Sequence, residues 1–339
     1  MSLVVGFTFD LREDHLRLGA SSEDVAEFDI AATIDAIDGA LSALDCRVER
    51  IGHLKNLVAA LARGRRWDLV FNFAEGSRGF GRESQVPALL DAYDIPYTFS
   101  DALTNALTLH KAMAKYVLRG LGLPTPDFRV VSSPEEAERV SLSFPLFVKP
   151  VAEGSSKGVS ERSRVTTDAE LRDACAELIA RFGQPALVET FLPGREVTVG
   201  IVGTGARAEA LGVLETAFAH PDAAYALSAK TVFEPWVDYR LADEPLASES
   251  ARLALAAWRG LGCRDGGRVD LRCDASGQLQ LLEINPLPGL RPSFSDLCVL
   301  CDLKGIPYQE LIGRILGSAL ERVPSRGPSR RVEMALEGS

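Results

Sequence analysis

Apolar and polar positions along the chain switch between two periods. Residues 3–9, LVVGFTF, form a nearly continuous apolar run, the pattern of a buried parallel strand. An acidic loop follows. Ile30, Ile34, Ile37 and Leu41 then recur at helical spacing, predicting a helix over 29–44. CRVERIG is a second short strand, LVAALARG a helix ended by Gly64, WDLVFNF a third strand and RESQVPALLDAYD the next helix. Over roughly the first 100 residues this alternation predicts a parallel sheet with helices on both faces.

The pattern then changes. A helix is predicted over 102–121, with Gly122 and Pro124 as stop signals. DFRVV, FPLFVKPV and ALVETFL are short strands mixed with helices. From residue 186 strands alternate and hairpins appear, and a last helix covers 307–320. The fold class is therefore α/β followed by α+β, with units at 1–101, 102–185 and 186–322. The segment 323–339, rich in Pro, Ser and Arg, is expected to be loosely ordered. There is no internal repeat.

Composition narrows the classes. A chain of 339 residues allows two or three domains, at about 100–200 residues each. With 46% hydrophobic and 25% charged residues, a fibrous or largely disordered chain is excluded. No apolar run approaches the ~18–20 residues of a membrane span, and the first residues lack the basic region of a signal peptide. The net charge of -10 argues against nucleic acid as a partner. Six scattered cysteines suit a reducing cytoplasm. Cys298 and Cys301 alone have metal-like spacing; with no second pair, two half-buried thiols on one helix are expected. Only seven of the 37 basic residues are Lys, which marks them as positions to watch for a compact point charge.

The most informative stretch is GRVDLRCDASGQLQLLEINPLPG, residues 267–289. Two strands flank the turn Asp274–Gly277. A tight hairpin would oppose Arg268 to Glu283 and Asp270 to Leu281. Because opposed residues share a face, Arg268, Asp270, Glu283 and Asn285 would project from one side. An all-oxygen set of this kind selects hard cations such as Mg²⁺. An exposed face with an ordinary ion pair is the competing reading; the apolar LLEIN favours burial, where charges need partners.

Two further elements stand out. In FPLFVKPVAEGSSKGVS, residues 144–160, an apolar strand delivers Lys149 into a Gly- and Ser-rich loop. Such a loop turns backbone N–H groups toward an anion and suits a nucleotide phosphate chain, although a mobile surface hairpin has the same composition. In LVETFLPGREVTVGIVG, residues 187–203, Glu189 and Glu196 bracket a Pro-Gly turn. They could receive an adenine amino group and ribose hydroxyls, or be solvated turn charges.

In this order the three elements resemble the ATP-grasp superfamily, and within it the D-alanine–D-alanine ligase branch. The resemblance covers about residues 66–320 and includes FNFAEG, IPYTFSDALTNALTLHK, GLPTPDF and GIPYQELIGRIL. It implies an ATP-grasp fold behind an N-terminal Rossmann-like domain. Lys111, Lys149 and Lys230 would contact the ATP phosphates. Glu189 and the backbone of Phe191 and Leu192 would hold adenine, and Glu196 the ribose. Asp270, Glu283 and Asn285 would hold two Mg²⁺ or Mn²⁺ ions. Arg268 would stabilise an oxyanion or bind the incoming carboxylate, and Ser155 would sit at the first-substrate site. The implied activity is ATP-dependent amide formation between small amino-acid or peptide substrates through an acyl phosphate, by a cytoplasmic homodimer.

The substrate half departs from that family. Its Ser-x-Glu-Arg-Glu-Val-Ser signature is absent, leaving Glu23 or Glu27 to face a substrate ammonium. AEGSRGFGRE, residues 74–83, replaces its His-Gly-x-x-Gly-Glu motif, His110 replaces an Asp, and Thr231 a Tyr. Pro286 stands where Thr is common. The serine for the second substrate would fall at Phe294, with Ser293 and Ser295 adjacent and Ser295 favoured; Arg78, Arg82 and Arg291 are candidate carboxylate binders. A peptide or amino-acid ligase of specialised metabolism therefore fits as well as a D-alanine enzyme. A non-catalytic ATP-binding regulatory protein is the reading of another class.

Overall fold

In a computed structural model of the chain, residues 2–218 and 237–323 are described. Lys230, Thr231 and the segment 324–339 lie outside the described residues.

Strand β1 (Leu3–Phe9) lies between β2 (Cys46–Gly52) and β3 (Leu69–Phe73), all parallel. Side chains alternate across this sheet. Val5, Phe7 and Phe71 share a core with helix α2 (Ala31–Ser42). Val4 and Val70 pack instead with α3 (Leu54–Ala62) and α4 (Gln85–Ala92). Both faces are thus covered, which is why β1 and β3 are apolar almost throughout. Between β1 and α2, where the sequence predicts only a loop, the chain forms a short helix, α1 (Arg12–Arg17).

The helix predicted over 102–121 is two helices, α5 (Ala102–Leu109) and α6 (Lys111–Gly120). They break at His110, whose φ of -85° and ψ of 89° leave the helical region. The His110 Nδ1 caps α6 by accepting the Met113 N–H at 3.3 Å. The break sets Lys111 at the first position of α6, where its own N–H reaches the Val151 carbonyl at 2.9 Å.

The second sheet is antiparallel: β4 (Phe128–Val131), β5 (Leu146–Pro150), β6 (Arg164–Val165) and β7 (Ala186–Thr190), in the order β4-β7-β5-β6. Helix α7 (Asp168–Phe182) covers one face with Leu171, Cys175 and Leu178. The pattern groups residue 186 onward with the later strands. Instead β7 lies inside this second sheet, bonded to β4 and β5; alternation alone does not say which neighbour a strand pairs with.

The third sheet holds β8 (Glu196–Val202), β9 (Glu209–Phe218), β10 (Val237–Leu241), β11 (Gly266–Cys273) and β12 (Leu279–Asn285), in the order β10-β9-β8-β11-β12. Helix α8 (Leu246–Gly260) packs Leu253, Ala257 and Trp258 on one face. Helices α9 (Asp296–Lys304) and α10 (Tyr308–Leu320) cover the other, and their Leu297, Leu300 and Ile312 join the core that holds Phe7 and Ile37. The first and third sheets therefore share one core. Cys298 and Cys301 lie inside it on α9, free and fully buried rather than half-buried.

Candidate active site

The β11–β12 hairpin carries the central face. Its register differs from the predicted one twice. The turn is one residue longer, with Cys273 opposite Leu279. A bulge between Asp270 and Leu271 then adds another residue, placing Asp270 opposite Glu283 and Arg268 opposite Asn285. A one-residue slip would turn the set inside out, but two restore the parity. The four side chains share a face, against different partners from those expected.

That face is a linked network. Arg268 Nη1 donates to Asp270 at 2.9 and 2.7 Å and lies 3.1 Å from Asp296 Oδ2 at the start of α9. Asn285 Nδ2 donates to Asp270 at 3.0 Å, and Thr198 of β8 donates at 2.8 Å. Burial opposes the charge on Arg268, but Asp270, Asp296 and Glu283 outweigh it and raise its pKa. Glu283 lies 3.3 Å from Lys111 Nζ. Burial pushes its carboxyl up, and Lys111, Lys149 and Arg268 more than reverse this, holding it well below the usual range.

Among the described residues, no three His, Cys, Asp or Glu side chains gather as a metal cluster. The donor set is two carboxylates and the Asn285 carboxamide, all oxygen and all hard. Asp270 lies against Arg268 and Glu283 against Lys111, so both carboxylates already face positive charge. The donor set fits Mg²⁺.

Next to it lies a second buried charge group that the sequence only half revealed. Glu189 is 3% exposed and sits between Lys149 Nζ at 2.7 Å and Lys115 Nζ at 2.9 Å. Lys115, on α6, is fully buried and also donates to Thr125 at 2.8 Å. Burial lowers the Lys115 pKa to about 8, although Glu189 opposes the fall. The spacing of Lys111 and Lys115 on one helical turn is a signal that could have marked it. Glu196, at the start of β8, pairs with Arg272 at 3.3 Å. Phe191 lies under Arg164, with 5.0 Å from guanidinium carbon to ring centre, while Leu192 is buried.

The loop after β5 faces these lysines. Lys111 Nζ donates to the Glu153 carbonyl at 2.5 Å, and Lys157 lies 2.8 Å from the Glu153 carboxylate. Ser155 and Ser156 have φ of 47° and 57°, a left-handed pair that costs about 1–2 kcal/mol per residue. Ser155 is exposed at the loop tip. Glu27 tethers the loop through the Gly154 N–H and binds Arg82 at 2.8 Å. Of the two acidic candidates, Glu27 faces inward and Glu23 does not: Glu23 pairs with Arg181 of α7 at the surface. Arg82 is 7% exposed and donates to the Ala152 carbonyl at 2.8 Å, so it braces the site rather than standing in solvent.

Glu75 and Glu83 lie beside this pair. Burial, with Glu83 and Glu27 as negative neighbours, raises the Glu75 carboxyl well above its usual range. Burial raises Glu83 to about 7 against the pull of Arg82. The final loop distributes its candidates differently. Ser293 turns outward to Asp302 at 2.9 Å. Ser295 accepts the Arg291 N–H at 3.1 Å, and the exposed Arg291 guanidinium lies 4.3 Å from the Phe294 ring centre. Lys115 and Asp296 are the site residues that the motifs missed.

Known proteins match this architecture. A family model described as the D-ala D-ala ligase C-terminus matches residues 117–317. The D-alanine–D-alanine ligase of Marinobacter nauticus is 40% identical over 258 residues, covering 75% of each chain. In structure, the D-alanine–D-alanine ligase of Bacillus anthracis complexed with ATP superposes with a TM-score of 0.70 at 21% identity, over 94% of this chain and 98% of that one. The VanG D-Ala:D-Ser ligase of Enterococcus faecalis gives 0.72 at 19% identity, over 94% and 100%. With a family match across more than half its length, this chain belongs to the D-alanine–D-alanine ligase family.

Proposed function

We propose that the chain is an ATP-dependent ligase joining a carboxylate to an amine, with D-alanine as the first substrate to test in both roles. A donor carboxylate oxygen attacks the γ-phosphorus of ATP, the bond to the β-bridging oxygen breaks, and ADP leaves. The nitrogen of the acceptor then attacks the acyl carbon, phosphate departs with the C–O electron pair, and nitrogen loses a proton. The observation that carries this reading is the single partly buried face joining Lys111, Glu283, Asp270 and Arg268, beside the buried Lys149–Glu189–Lys115 group. Nothing in a purely structural hairpin calls for so many charges out of water.

Within this reading, Lys111 and Lys149 hold the ATP phosphates. Lys115 remains with Glu189 when Lys149 turns to the nucleotide. Glu189, Glu196 and the Phe191–Leu192 backbone take adenosine. Asp270, Glu283 and Asn285 hold Mg²⁺, which when bound offsets the charge on the transferred phosphoryl group. Arg268 faces the developing oxyanion. Ser155 and the tethered loop exclude water from an acyl phosphate that water would destroy. A cytoplasmic homodimer belongs to the same reading; no described helix is long and apolar enough to cross a membrane.

A different substrate pair is the second reading. It is favoured by Asp296 against Arg268 and by Glu75 and Glu83 in place of the family's histidine motif. Phosphate release with ATP and Mg²⁺, across single and paired D- and L-amino acids with products weighed by mass spectrometry, tests both. D-alanyl-D-alanine supports the first reading, another dipeptide or amide the second. No nucleotide turnover with any pair removes the ligase reading.

A further inference from the structure

Resting on the ligase reading, we infer that Arg82 is a positioning residue that holds the 152–158 loop against water, so that its loss lets the acyl phosphate be hydrolysed before the acceptor reacts. Three consecutive residues of that loop are fixed from three different places. Arg82 Nη1 donates to the Ala152 carbonyl at 2.8 Å. Lys111 Nζ donates to the Glu153 carbonyl at 2.5 Å. The Gly154 N–H donates to Glu27 at 2.5 Å, and the other Glu27 oxygen accepts Arg82 Nη2 at 2.8 Å. One guanidinium therefore reaches both ends of Ala152–Gly154, the first directly and the second through Glu27. Lys111 also serves the ATP phosphates in the ligase reading, so its hold on Glu153 is shared. Arg82 and Glu27 have no such second duty there.

The local fold delivers this arginine. Arg82 opens one short helical turn, Arg82–Ser84. Gly76, at a φ of 72°, lets the preceding segment fold back on it: a Cβ at Gly76 would lie 2.5 Å from the Arg82 carbonyl oxygen. The Gly76 N–H in turn donates to Asp10 at 2.8 Å, directly after β1. Arg82 is thus anchored at the end of β1 and reaches across to the end of β5.

A buried ion pair is costly where apolar side chains would pack as well. The Arg82 and Glu27 side chains are only 7% and 6% exposed. Burial opposes the charge on Arg82, but Glu27, Glu83, Glu153 and Glu75 outweigh it and raise its pKa. An apolar side chain could fill the space. It could not bind a backbone carbonyl and a carboxylate together, which the planar guanidinium fork does in fixed geometry. What the charge adds is the placement of the loop.

The leak is a defined reaction. Water attacks the acyl carbon, the bond from that carbon to the phosphate oxygen breaks, and phosphate leaves with the electron pair and one donor oxygen. The donor carboxylate is regenerated, a proton is released, and no amide forms.

The test uses the full chain with ATP, Mg²⁺ and the substrate pair that gives amide, D-alanine first, with phosphate and amide counted together. In Arg82→Met the share of phosphate released without amide should rise about tenfold, the factor for losing one charge-assisted hydrogen bond. KM for ATP should change little. With ¹⁸O in the donor carboxylate, the excess phosphate should carry the label; unlabelled excess means that water attacks ATP itself and overturns the inference. Arg322→Ala, which breaks a different buried pair, should lower phosphate and amide together. An equal leak in that variant assigns the effect to general loosening and also overturns the inference, as does full coupling in Arg82→Met. Where Arg82→Met does not fold, Glu27→Gln answers the same question: it still accepts the Gly154 N–H, loses the ion pair, and should leak. If the wild type makes no amide with any pair, the ligase reading fails, and hydrogen exchange of the free protein decides the positioning. Faster exchange across 152–158 in Arg82→Met sustains it, and unchanged exchange ends it.

Discussion

At the scale of single residues, burial acts oppositely on acids and bases in this site, and both effects can be measured. Lys115 is a base held charged against burial by Glu189, and Glu189 in turn depends on two lysines. Lys115→Met leaves Glu189 to Lys149 alone, so Lys149 can no longer leave for phosphate without exposing a buried carboxylate. ATP affinity measured by calorimetry should fall about tenfold or more, since a buried charge without its partner costs several kcal/mol; unchanged affinity would show that Lys149 moves independently. Glu83 is the opposite case. Its folded pKa of about 7 lies above the ordinary value of 4.5, so the folded state binds the extra proton. The stability this contributes is complete below pH 4.5 and is lost as pH rises through 7. Glu83→Gln should therefore unfold at higher urea than the wild type at pH 8, while the difference shrinks toward pH 5. The reverse trend would contradict the burial-driven shift.

At the scale of elements, the hairpin shows why periodicity located the site while pairing was misjudged. Side-chain parity survives an even number of slips, and here a longer turn and a bulge contribute one each. The face was legible because two-residue periodicity is strong; the opposed partners were not, because turn length and bulges leave little trace in sequence. The break at His110 was hidden for a similar reason: nothing in LTLHKAM departs from helical propensity, and only the packing of Lys111 against Val151 requires it. Asp296 was missed because an Asp at a helix start is ordinary capping chemistry until the strand across from it is known. The hairpin also needs close approach at Gly267. A Cβ there would lie 2.4 Å from the Asn285 carbonyl oxygen and 2.6 Å from Trp258. Gly267→Ala should cost about 1–3 kcal/mol in urea denaturation, because β12 must move off β11. It should weaken ATP turnover more than an alanine at Gly39 of α2, which has nothing within 4 Å and lies in ordinary helical backbone. Equal behaviour of the two would mean that the strand spacing at Gly267 is slack.

At the scale of the whole molecule, one buried carboxylate joins the first and third sheets. Asp265 is fully buried ahead of β11 and accepts the Phe99 N–H at 2.7 Å, from the chain following β3. Its other oxygen receives Ser318 of α10 at 2.8 Å and Thr204 at 3.1 Å, and Arg322 closes the group, with both Nη atoms donating to Asp265 and Nη2 also to the Tyr97 carbonyl at 3.0 Å. Strand end, helix end and inter-sheet linker therefore meet at a single charge. Nothing in YTFSDAL or GCRDGGR marks this meeting, since the partners are separated by 53 to 166 residues. Removing the arginine leaves the carboxylate buried with hydroxyl and amide donors only. Arg322→Ala should then destabilise the protein by about 3–5 kcal/mol, the range for breaking a buried pair. Arg314 provides the control. It pairs with Glu310 one turn away on the exposed face of α10, a contact worth about 0.3–0.5 kcal/mol. Thermal and urea unfolding of the two alanine variants should separate them clearly, and Asp265→Asn together with Arg322→Ala should recover part of the loss by removing the unpaired charge. If Arg322→Ala unfolds like Arg314→Ala, the two sheets are held by their shared apolar core, and the charge group only decorates the junction.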